Sequence, residues 1–244
     1  MIPAPTMSSV RRLATVVLVA MLVAGCAVPT VTASPSPVPL PTVAPTTPTY
    51  TLAPTMAPGA CPTSAPAAFT GTATVTMATN FGNIVIKVDG SLGPNAAGAF
   101  VALARCGYYN NVIFHRVMPL FVDQAGDGTY GRLPNPDLSK VGRGGPSWTV
   151  TDDPVTQAYK RGTVAMARTS AVNSGSSQFF IVLDDSANTS LAGSGANNYA
   201  IFGSVTTGMD VADRISNLPT GGDDSPPSMP LQPVVITGMT VTTP

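Results

Sequence analysis

The chain from residue 69 to residue 244 predicts a mainly β domain, a closed antiparallel barrel of eight strands capped by two α-helices. Eight short runs in this region are rich in Val, Ile, Phe or Thr, and each is bounded by Gly, Pro, Asn or Asp. Only two stretches carry apolar residues at helical spacing. Eight strands with two helices favour a closed barrel whose ends the helices cover.

The eight runs give the order of the predicted strands. They cover residues 72–77, 84–88, 112–116, 120–124, 163–167, 178–183, 200–205 and 234–241. Asn80-Phe81-Gly82-Asn83 separates the first two runs and has the composition of a tight turn. Residues 125–160 and 184–198 are rich in Gly, Asp and Asn and are predicted to form long loops. Loops of this length commonly carry function, so the site is expected near them.

Two helices are predicted between these strands. The first covers residues 95–106, with Asn95 as its N-cap residue and Gly107 directly after its end. The second covers residues 209–216, whose apolar residues share one helical face.

The first 25 residues are typical of an export signal. Arg11 and Arg12 form a positive start, and the apolar segment from Leu13 to Ala24 is shorter than the roughly 20 residues that span a bilayer. Small residues precede Cys26, and this ending resembles a bacterial lipobox, in which the peptide is cut before the cysteine and the thiol is lipidated. An ordinary signal peptide that happens to contain Cys26 is the alternative. The lipobox predicts an extracytoplasmic protein that is anchored to the cell membrane as a lipoprotein.

Residues 26–68 are predicted to form a disordered tether between that anchor and the domain. Residues 27–68 hold eleven of the 25 prolines and no charged residue. Proline removes backbone donors and fixes φ, so no helix or strand ladder can run through this segment. An extended spacer resembling polyproline II is expected. A leader without a role is the alternative.

Composition excludes several classes of function. Charged residues make up 10% of the chain, and 12 basic residues balance 12 acidic ones. A neutral chain without a Lys/Arg run is not expected to bind nucleic acid, because phosphate contacts need clustered positive charge. His115 is the single histidine, and the three cysteines form no CxxC pair. We therefore expect no metal site and no cofactor.

Three blocks of sequence carry the strongest functional signal. They are FHRVMPLFVDQAGD at residues 114–127, VAMAR at 164–168 and SSQFFIV at 176–182. In this order the blocks resemble the signature of cyclophilin-type peptidyl-prolyl cis-trans isomerases. Residues 108–113, 200–205 and 208–210 resemble the same family, so the resemblance covers about residues 72–241. It implies the cyclophilin-like form of the eight-stranded barrel.

The resemblance implies an enzyme that accelerates rotation about X–Pro bonds. By the family pattern, Arg116 is the catalytic residue, and Phe121 and Gln124 act beside it. An arginine suits this reaction because its charged, fork-shaped side chain can donate to the imide nitrogen as the bond twists. The reaction requires no nucleophile, metal or cofactor.

The resemblance also implies a groove for the substrate. The residues expected to form the proline pocket are Phe121, Met166, Phe180 and Leu191, with Tyr199 in its wall. Ala167 and Arg168 are expected to offer main-chain groups to an extended peptide. Gln178 is expected to line the neighbouring subsite. Gln124 is expected to bind the substrate backbone or to hold Arg116 in place.

Two cysteines remain once Cys26 carries a lipid. Exported proteins can form disulfides, so Cys61 is predicted to be bridged to Cys106 at the end of the first helix. The alternative is a buried free thiol at Cys106 and an unpaired Cys61 in the tether.

The expected function is therefore a peptidyl-prolyl isomerase that helps exported or cell-envelope proteins to fold. We expect a monomer that acts on proline-containing polypeptides. Two alternatives use the same fold: a binding module for proline-containing segments, and an envelope protein that uses the fold as a scaffold. The set Arg116, Phe121, Gln124, Met166 and Phe180 favours the enzyme, because a scaffold would not require it.

Overall fold

The computed structural model describes residues 61–192, 198–221 and 229–244, together with Leu52. Within these ranges the chain forms nine β-strands and three α-helices. In chain order they are β1 (Thr72–Thr79), β2 (Gly82–Asp89), α1 (Pro94–Arg105), β3 (Val112–Ile113), β4 (Arg116–Met118), β5 (Val122–Ala125), β6 (Thr163–Met166), β7 (Phe179–Val182), α2 (Asn188–Leu191), β8 (Ile201–Thr207), α3 (Met209–Ser216) and β9 (Val235–Thr242). The short helix α2 lies in a region that the sequence predicted to be a loop.

The nine strands form one antiparallel sheet in the order β3-β9-β1-β2-β8-β6-β7-β5-β4. The two edge strands β3 and β4 do not pair with each other, so the predicted closed barrel of eight strands is not confirmed. The predicted strand at residues 112–116 is divided at Phe114 and His115. The amide of Phe114 donates to the carbonyl of Val234 over 2.9 Å, and that of His115 to Gln124 over 3.1 Å. At these two residues the chain thus leaves its pairing with β9 and begins its pairing with β5. The edge strands β3 and β4 are joined by the backbone of residues 114–115 and not by strand pairing.

A carboxylate distant in sequence caps the first helix. Helix α1 begins at Pro94 with Gly93 as its N-cap residue, so the predicted cap at Asn95 is wrong. The carboxylate of Asp153 accepts hydrogen bonds from the amides of Asn95, at 3.2 Å, and Ala96, at 2.9 Å. It satisfies amides that a helix start leaves unpaired, and its negative charge suits the helix dipole. Helix α3 has the predicted bounds.

Buried apolar residues form two clusters on opposite faces of the sheet. In the larger cluster the Phe100 ring of α1 lies 5.1 Å from that of Phe179 and 4.8 Å from that of Phe202. Phe180 belongs to the smaller cluster. Successive side chains of a strand point to opposite faces, so β7 supplies one phenylalanine to each cluster. The smaller cluster is where the functional site is built.

Residues 61–68 lie against the domain, although the sequence assigned them to the disordered tether. A disulfide joins Cys61 to Cys106 directly after α1, with the two Cα atoms 5.1 Å apart. The indole nitrogen of Trp148 donates to the carbonyl of Pro62 over 3.0 Å. The ordered domain therefore includes this segment and extends to Cys61.

The predicted export signal at residues 1–25, Cys26 and the tether up to residue 60 lie outside the described residues, apart from Leu52. In the part of the chain that the structure describes, none of the helices has the length and apolar character that crossing a bilayer requires.

Removal of the disulfide tests how strongly it holds this segment. The bridge closes a loop between residues 45 positions apart, and it restricts the unfolded chain. We expect the Cys61→Ser/Cys106→Ser double variant to lose about 2–4 kcal/mol of unfolding free energy, measured by urea denaturation. Reductant should lower the stability of the wild type and leave the double variant unchanged. Alkylation of Cys61 or Cys106 in the native, unreduced protein, located by peptide mass mapping, would contradict the bridge.

Candidate active site

The register of three neighbouring strands places the central residues of the site side by side. Arg116 on β4 pairs directly with Gln124 on β5, and Gln124 pairs with Phe180 on β7. Directly paired residues of antiparallel strands point to the same face of the sheet. Hydrogen bonding between the strands therefore aligns a cation, an amide and an aromatic ring in one row.

The guanidinium of Arg116 lies beside an aromatic ring. Its central carbon is 5.3 Å from the ring centroid of Phe121. A turn brings the two together, since Leu120 has a positive φ of 60° and the amide of Phe121 donates to the carbonyl of Met118 over 3.0 Å. Attraction between the cation and the ring holds the guanidinium at the edge of the apolar cluster.

Next to this pair lies the smaller apolar cluster, which contains most of the predicted proline pocket. Phe180 and Leu191 are buried in it, and Phe121 and Tyr199 pack against it from its partly exposed side. The rings of Phe180 and Tyr199 meet edge to face, with centroids 5.3 Å apart. The short helix α2 supplies Leu191. The predicted loop at residues 184–198 is therefore helical at the position that contributes to the cluster.

Met166 is not part of this pocket, contrary to the sequence prediction. It belongs to the larger cluster, and it pairs with Phe179, which points to the opposite face of the sheet. Val122 takes the place instead, buried beside Phe180 and Leu191. Strand alternation could have revealed it, because Val122 lies two residues before Gln124 and so shares its face.

Gln124 and Gln178 form a chain of hydrogen bonds that ends in the loop after β5. The side-chain amide of Gln124 donates to the Gln178 side-chain oxygen over 3.0 Å. The amide nitrogen of Gln178 donates to the carbonyls of Gly142, at 3.0 Å, and Gly144, at 2.8 Å. Gln178 is thus fixed by three bonds, and it fixes the rotamer of Gln124 in turn.

Ala167 packs against the smaller apolar cluster, and the main-chain contacts of Ala167 and Arg168 with a substrate remain a prediction. The amide of Ala167 donates to the carbonyl of Gln178 over 2.8 Å, so that amide is already used within the domain. The Arg168 side chain is only 4% exposed. Its guanidinium donates to the carbonyls of Asn198 and Thr169. Arg168 therefore connects the loop after β6 with the segment before β8, beside the pocket.

Sequence reasoning missed Tyr159, which positions the pocket wall. Its hydroxyl donates to the carbonyl of Tyr199 over 2.9 Å and accepts from the amide of the same residue over 2.7 Å. Burial raises the pKa of Tyr159 to about 12, so the hydroxyl keeps the proton that it donates. A lone tyrosine in a loop carries no sequence signal for such a role.

A buried carboxylate organises the loop that Gln178 contacts. Asp127 accepts hydrogen bonds from four backbone amides, at distances of 2.8–3.0 Å. The donors are Thr129, Tyr130, Gly142 and Gly144. Backbone donors of this kind compensate a carboxylate that has been removed from water. The loop around residues 127–144 is therefore held in one conformation beside the site.

Two buried titratable groups flank the row of site residues. Burial lowers the pKa of His115 to about 4, although the neighbouring Asp127 favours its charged form. Asp123 lies between Val122 and Gln124 but points to the other face, where neither carboxyl oxygen has a hydrogen-bond partner among the described residues. Burial, and secondly the charge of Asp213, raise the pKa of Asp123 to about 8.

The fold and the site together define a class of antiparallel β-sheet proteins that present an arginine beside a small apolar cluster. Comparison with known proteins narrows this class. Residues 74–241 match the family model described as cyclophilin type peptidyl-prolyl cis-trans isomerase/CLD.

Individual relatives agree with the family model. The chain is 38% identical to a peptidyl-prolyl cis-trans isomerase of Acinetobacter baylyi, over 66% of this chain and 81% of that protein. It is 35% identical to peptidyl-prolyl cis-trans isomerase B of Escherichia coli, over 68% of this chain and 98% of that protein. A crystal structure of a Cryptosporidium parvum cyclophilin type isomerase superposes with a TM-score of 0.57 at 26% identity, over 71% of this chain and 99% of that one.

The chain belongs to the cyclophilin-type peptidyl-prolyl cis-trans isomerases and is an isomerase. The resemblance seen in the sequence blocks is thereby confirmed.

The pH dependence of stability tests the environment of the two buried groups. Folded Asp123 keeps its proton up to about pH 8 whereas the unfolded chain releases it near 3.8, so its contribution makes stability fall as pH rises between these values. His115 has the opposite sign: the unfolded chain binds a proton below 6.5 and the folded chain only below about 4, so stability rises with pH in that window. The two contributions offset each other below pH 6.5, and only that of Asp123 remains above it.

We therefore expect the unfolding free energy of the wild type to fall between pH 6.5 and about 8, by at most about 1.4 kcal/mol per pH unit. In Asp123→Asn this fall should disappear, and a rise between pH 4 and 6.5 should appear because His115 then acts alone. Urea denaturation at a series of pH values measures both. Asp210→Asn, on the exposed side of α3, should keep the wild-type slopes. A variant profile identical to the wild type would show that Asp123 is not held protonated.

Proposed function

We propose that this chain accelerates cis–trans isomerisation of X–Pro bonds in exported or cell-envelope proteins and so acts as a folding catalyst. The observation that carries the proposal is the position of Arg116, whose guanidinium lies 5.3 Å from the Phe121 ring at the edge of the apolar cluster. A cation at the edge of an apolar cluster suits this reaction. A solved relative was studied in the presence of the dipeptide Ala-Pro, and this agrees with a proline-containing substrate.

The reaction itself makes few chemical demands. C–N resonance gives peptide-bond rotation a barrier of about 18–20 kcal/mol, and prolyl bonds exchange over tens to hundreds of seconds unaided. In the planar bond the nitrogen lone pair is delocalised. As the bond twists, the lone pair localises on the nitrogen and becomes a better hydrogen-bond acceptor.

Arg116 supplies a donor for that localised lone pair. A donor that binds the twisted bond more strongly than the planar bond lowers the barrier, because only differential binding of the transition state accelerates the step. Arg116 is half-buried, which strengthens its electrostatic interactions relative to those in water. Its neighbour Gln124 is fixed by Gln178, so that it can hold either the guanidinium or the substrate backbone.

The apolar cluster holds the proline ring next to this donor. Val122, Phe180 and Leu191 form its floor, and Phe121 and Tyr199 border it. These side chains exclude water from the reacting bond and hold the ring while the preceding residue rotates. We expect a monomer to be sufficient, since one chain supplies all of these residues.

Substitution of Arg116 tests this assignment. We expect Arg116→Ala to lower kcat/KM for a short Ala-Pro peptide by about 10²–10³, the usual loss when one transition-state donor is removed. NMR follows the exchange between the cis and trans forms of the peptide in the presence of the protein, prepared as residues 61–244. Arg105→Ala, which removes an exposed arginine at the end of α1, should retain full activity.

Two results would contradict the assignment. Full activity of Arg116→Ala would remove the arginine from the mechanism. A wild type that exchanges the peptide no faster than buffer would reduce the groove to a proline-binding surface, and the chain would then be a binding module.

We also propose that the chain acts outside the cytoplasm, where a lipid on Cys26 anchors it to the membrane. The proposal is supported by the positive and apolar segments of residues 1–25 and by the small residues that precede Cys26. The intervening proline-rich residues would give the domain reach from the membrane surface.

Expression of the full chain in a bacterium tests the anchor. We expect the mature protein in the membrane fraction, with a mass that corresponds to cleavage before Cys26 and an added lipid. Cys26→Ala should leave the membrane fraction, whereas Cys61→Ser should remain in it. Cleavage at another residue, or an unlipidated wild type, would refute the anchor without affecting the isomerase activity.

A further inference from the structure

A cavity of about 260 Å³ lies at Gln124 and Gln178, where the family resemblance implies a subsite next to the proline pocket. Because Gln124 pairs directly with Arg116, a peptide bound at Arg116 would pass the mouth of this cavity. The lining residues are Gln124, Gly142, Arg143, Gly144, Gly145, Pro146, Thr149, Ala167, Arg168, Thr169, Ser174, Ser176 and Gln178.

The lining of the cavity is polar and positively charged. It includes two guanidinium groups, from Arg143 and Arg168, and several hydroxyl groups, while none of these lining residues is acidic. Hydroxyl and guanidinium groups both donate hydrogen bonds. The cavity therefore favours a negatively charged group with several acceptor atoms.

The two arginines differ in what they can still bind. Arg168 is buried, donates to backbone carbonyls, and has its Nε 3.8 Å from a carboxylate oxygen of Asp152. Arg143 is exposed, and its side chain has neither an ion pair nor a hydrogen bond within the described residues. Arg143 is thus the cation of this cavity that is available to a ligand.

The backbone on both sides of Arg143 is fixed. The carboxylate of Asp127 accepts from the amides of Gly142 and Gly144, at 2.8 and 2.9 Å. The side chain of Gln178 donates to the carbonyls of the same two glycines. Arg143 therefore projects from a rigid support at the cavity mouth, and less ordering entropy is lost when it binds.

We propose that this cavity receives an acidic side chain of the substrate, Asp or Glu, and that Arg143 binds its carboxylate. The inference rests on the proposed isomerase function and adds a substrate preference to it. A segment with an acidic residue a few positions from the proline would then be isomerised faster than its neutral counterpart. The preference acts through binding of the extended peptide, so it adds to the mechanism at Arg116 without altering it.

A set of short peptides tests the preference. Each peptide has blocked ends and one proline, with Glu placed in turn at each other position, and a matched peptide carries Gln there. The kcat/KM of every peptide is measured by NMR exchange with the wild type, Arg143→Gln and Arg105→Gln. The last variant removes an exposed arginine from α1 and serves as the control for net charge.

At one position we expect the wild type to prefer Glu over Gln by about three- to tenfold, as for a charge-assisted hydrogen bond at a partly exposed site. Arg105→Gln should keep this ratio and Arg143→Gln should bring it close to one. High salt should reduce the ratio in the wild type.

Three outcomes would overturn the inference. Equal rates for Glu and Gln at every position, with normal catalysis of both peptides, would remove the acidic preference and leave the isomerase function intact. A preference for Glu that persists in Arg143→Gln would show that another group binds the carboxylate. Absence of catalysis on every peptide would refute the proposed function together with the inference.

Discussion

The strand register across β4, β5 and β7 is the constraint on which the site depends. It aligns Arg116, Gln124 and Phe180 in direct pairs, so that a cation, a side-chain amide and an aromatic ring come from three separate strands. A shift of one residue in β5 would turn Gln124 into the core and bring Asp123 to the site. The buried apolar face of each strand prevents such a shift, because it would expose apolar side chains to water.

Buried polar groups extend this order from the strands to the loops. Asp127 gathers four backbone amides of the loop after β5, and Gln178 binds two carbonyls of the same loop. Asp153 acts in the same way at the start of α1. Each group compensates for its burial by satisfying backbone atoms that would otherwise lack partners. The long loops beside the site are consequently parts of the rigid framework.

An isomerase of this kind needs rigidity more than reactive chemistry. No bond is made or broken, so the rate depends on how well the site fits the twisted bond before the substrate arrives. Phe121 holds the guanidinium of Arg116, and Tyr159 holds the wall residue Tyr199 through both of its backbone groups. The neighbouring cavity at Arg143 is supported by the same loop, which Asp127 and Gln178 hold through its backbone.

Sequence by itself determined the β class, the helix α3 and the family, and it named most residues that the structure brings together at the candidate site, because alternating strands and ordered motifs are local patterns. It also indicated the pairing of Cys61 with Cys106, which the fold brings together. Only the tertiary structure decided that the sheet stays open at Phe114 and His115, and that Asp153 caps α1. It also placed Val122 rather than Met166 in the pocket. These features depend on which strands and loops meet across distant parts of the chain, and no local pattern encodes such contacts.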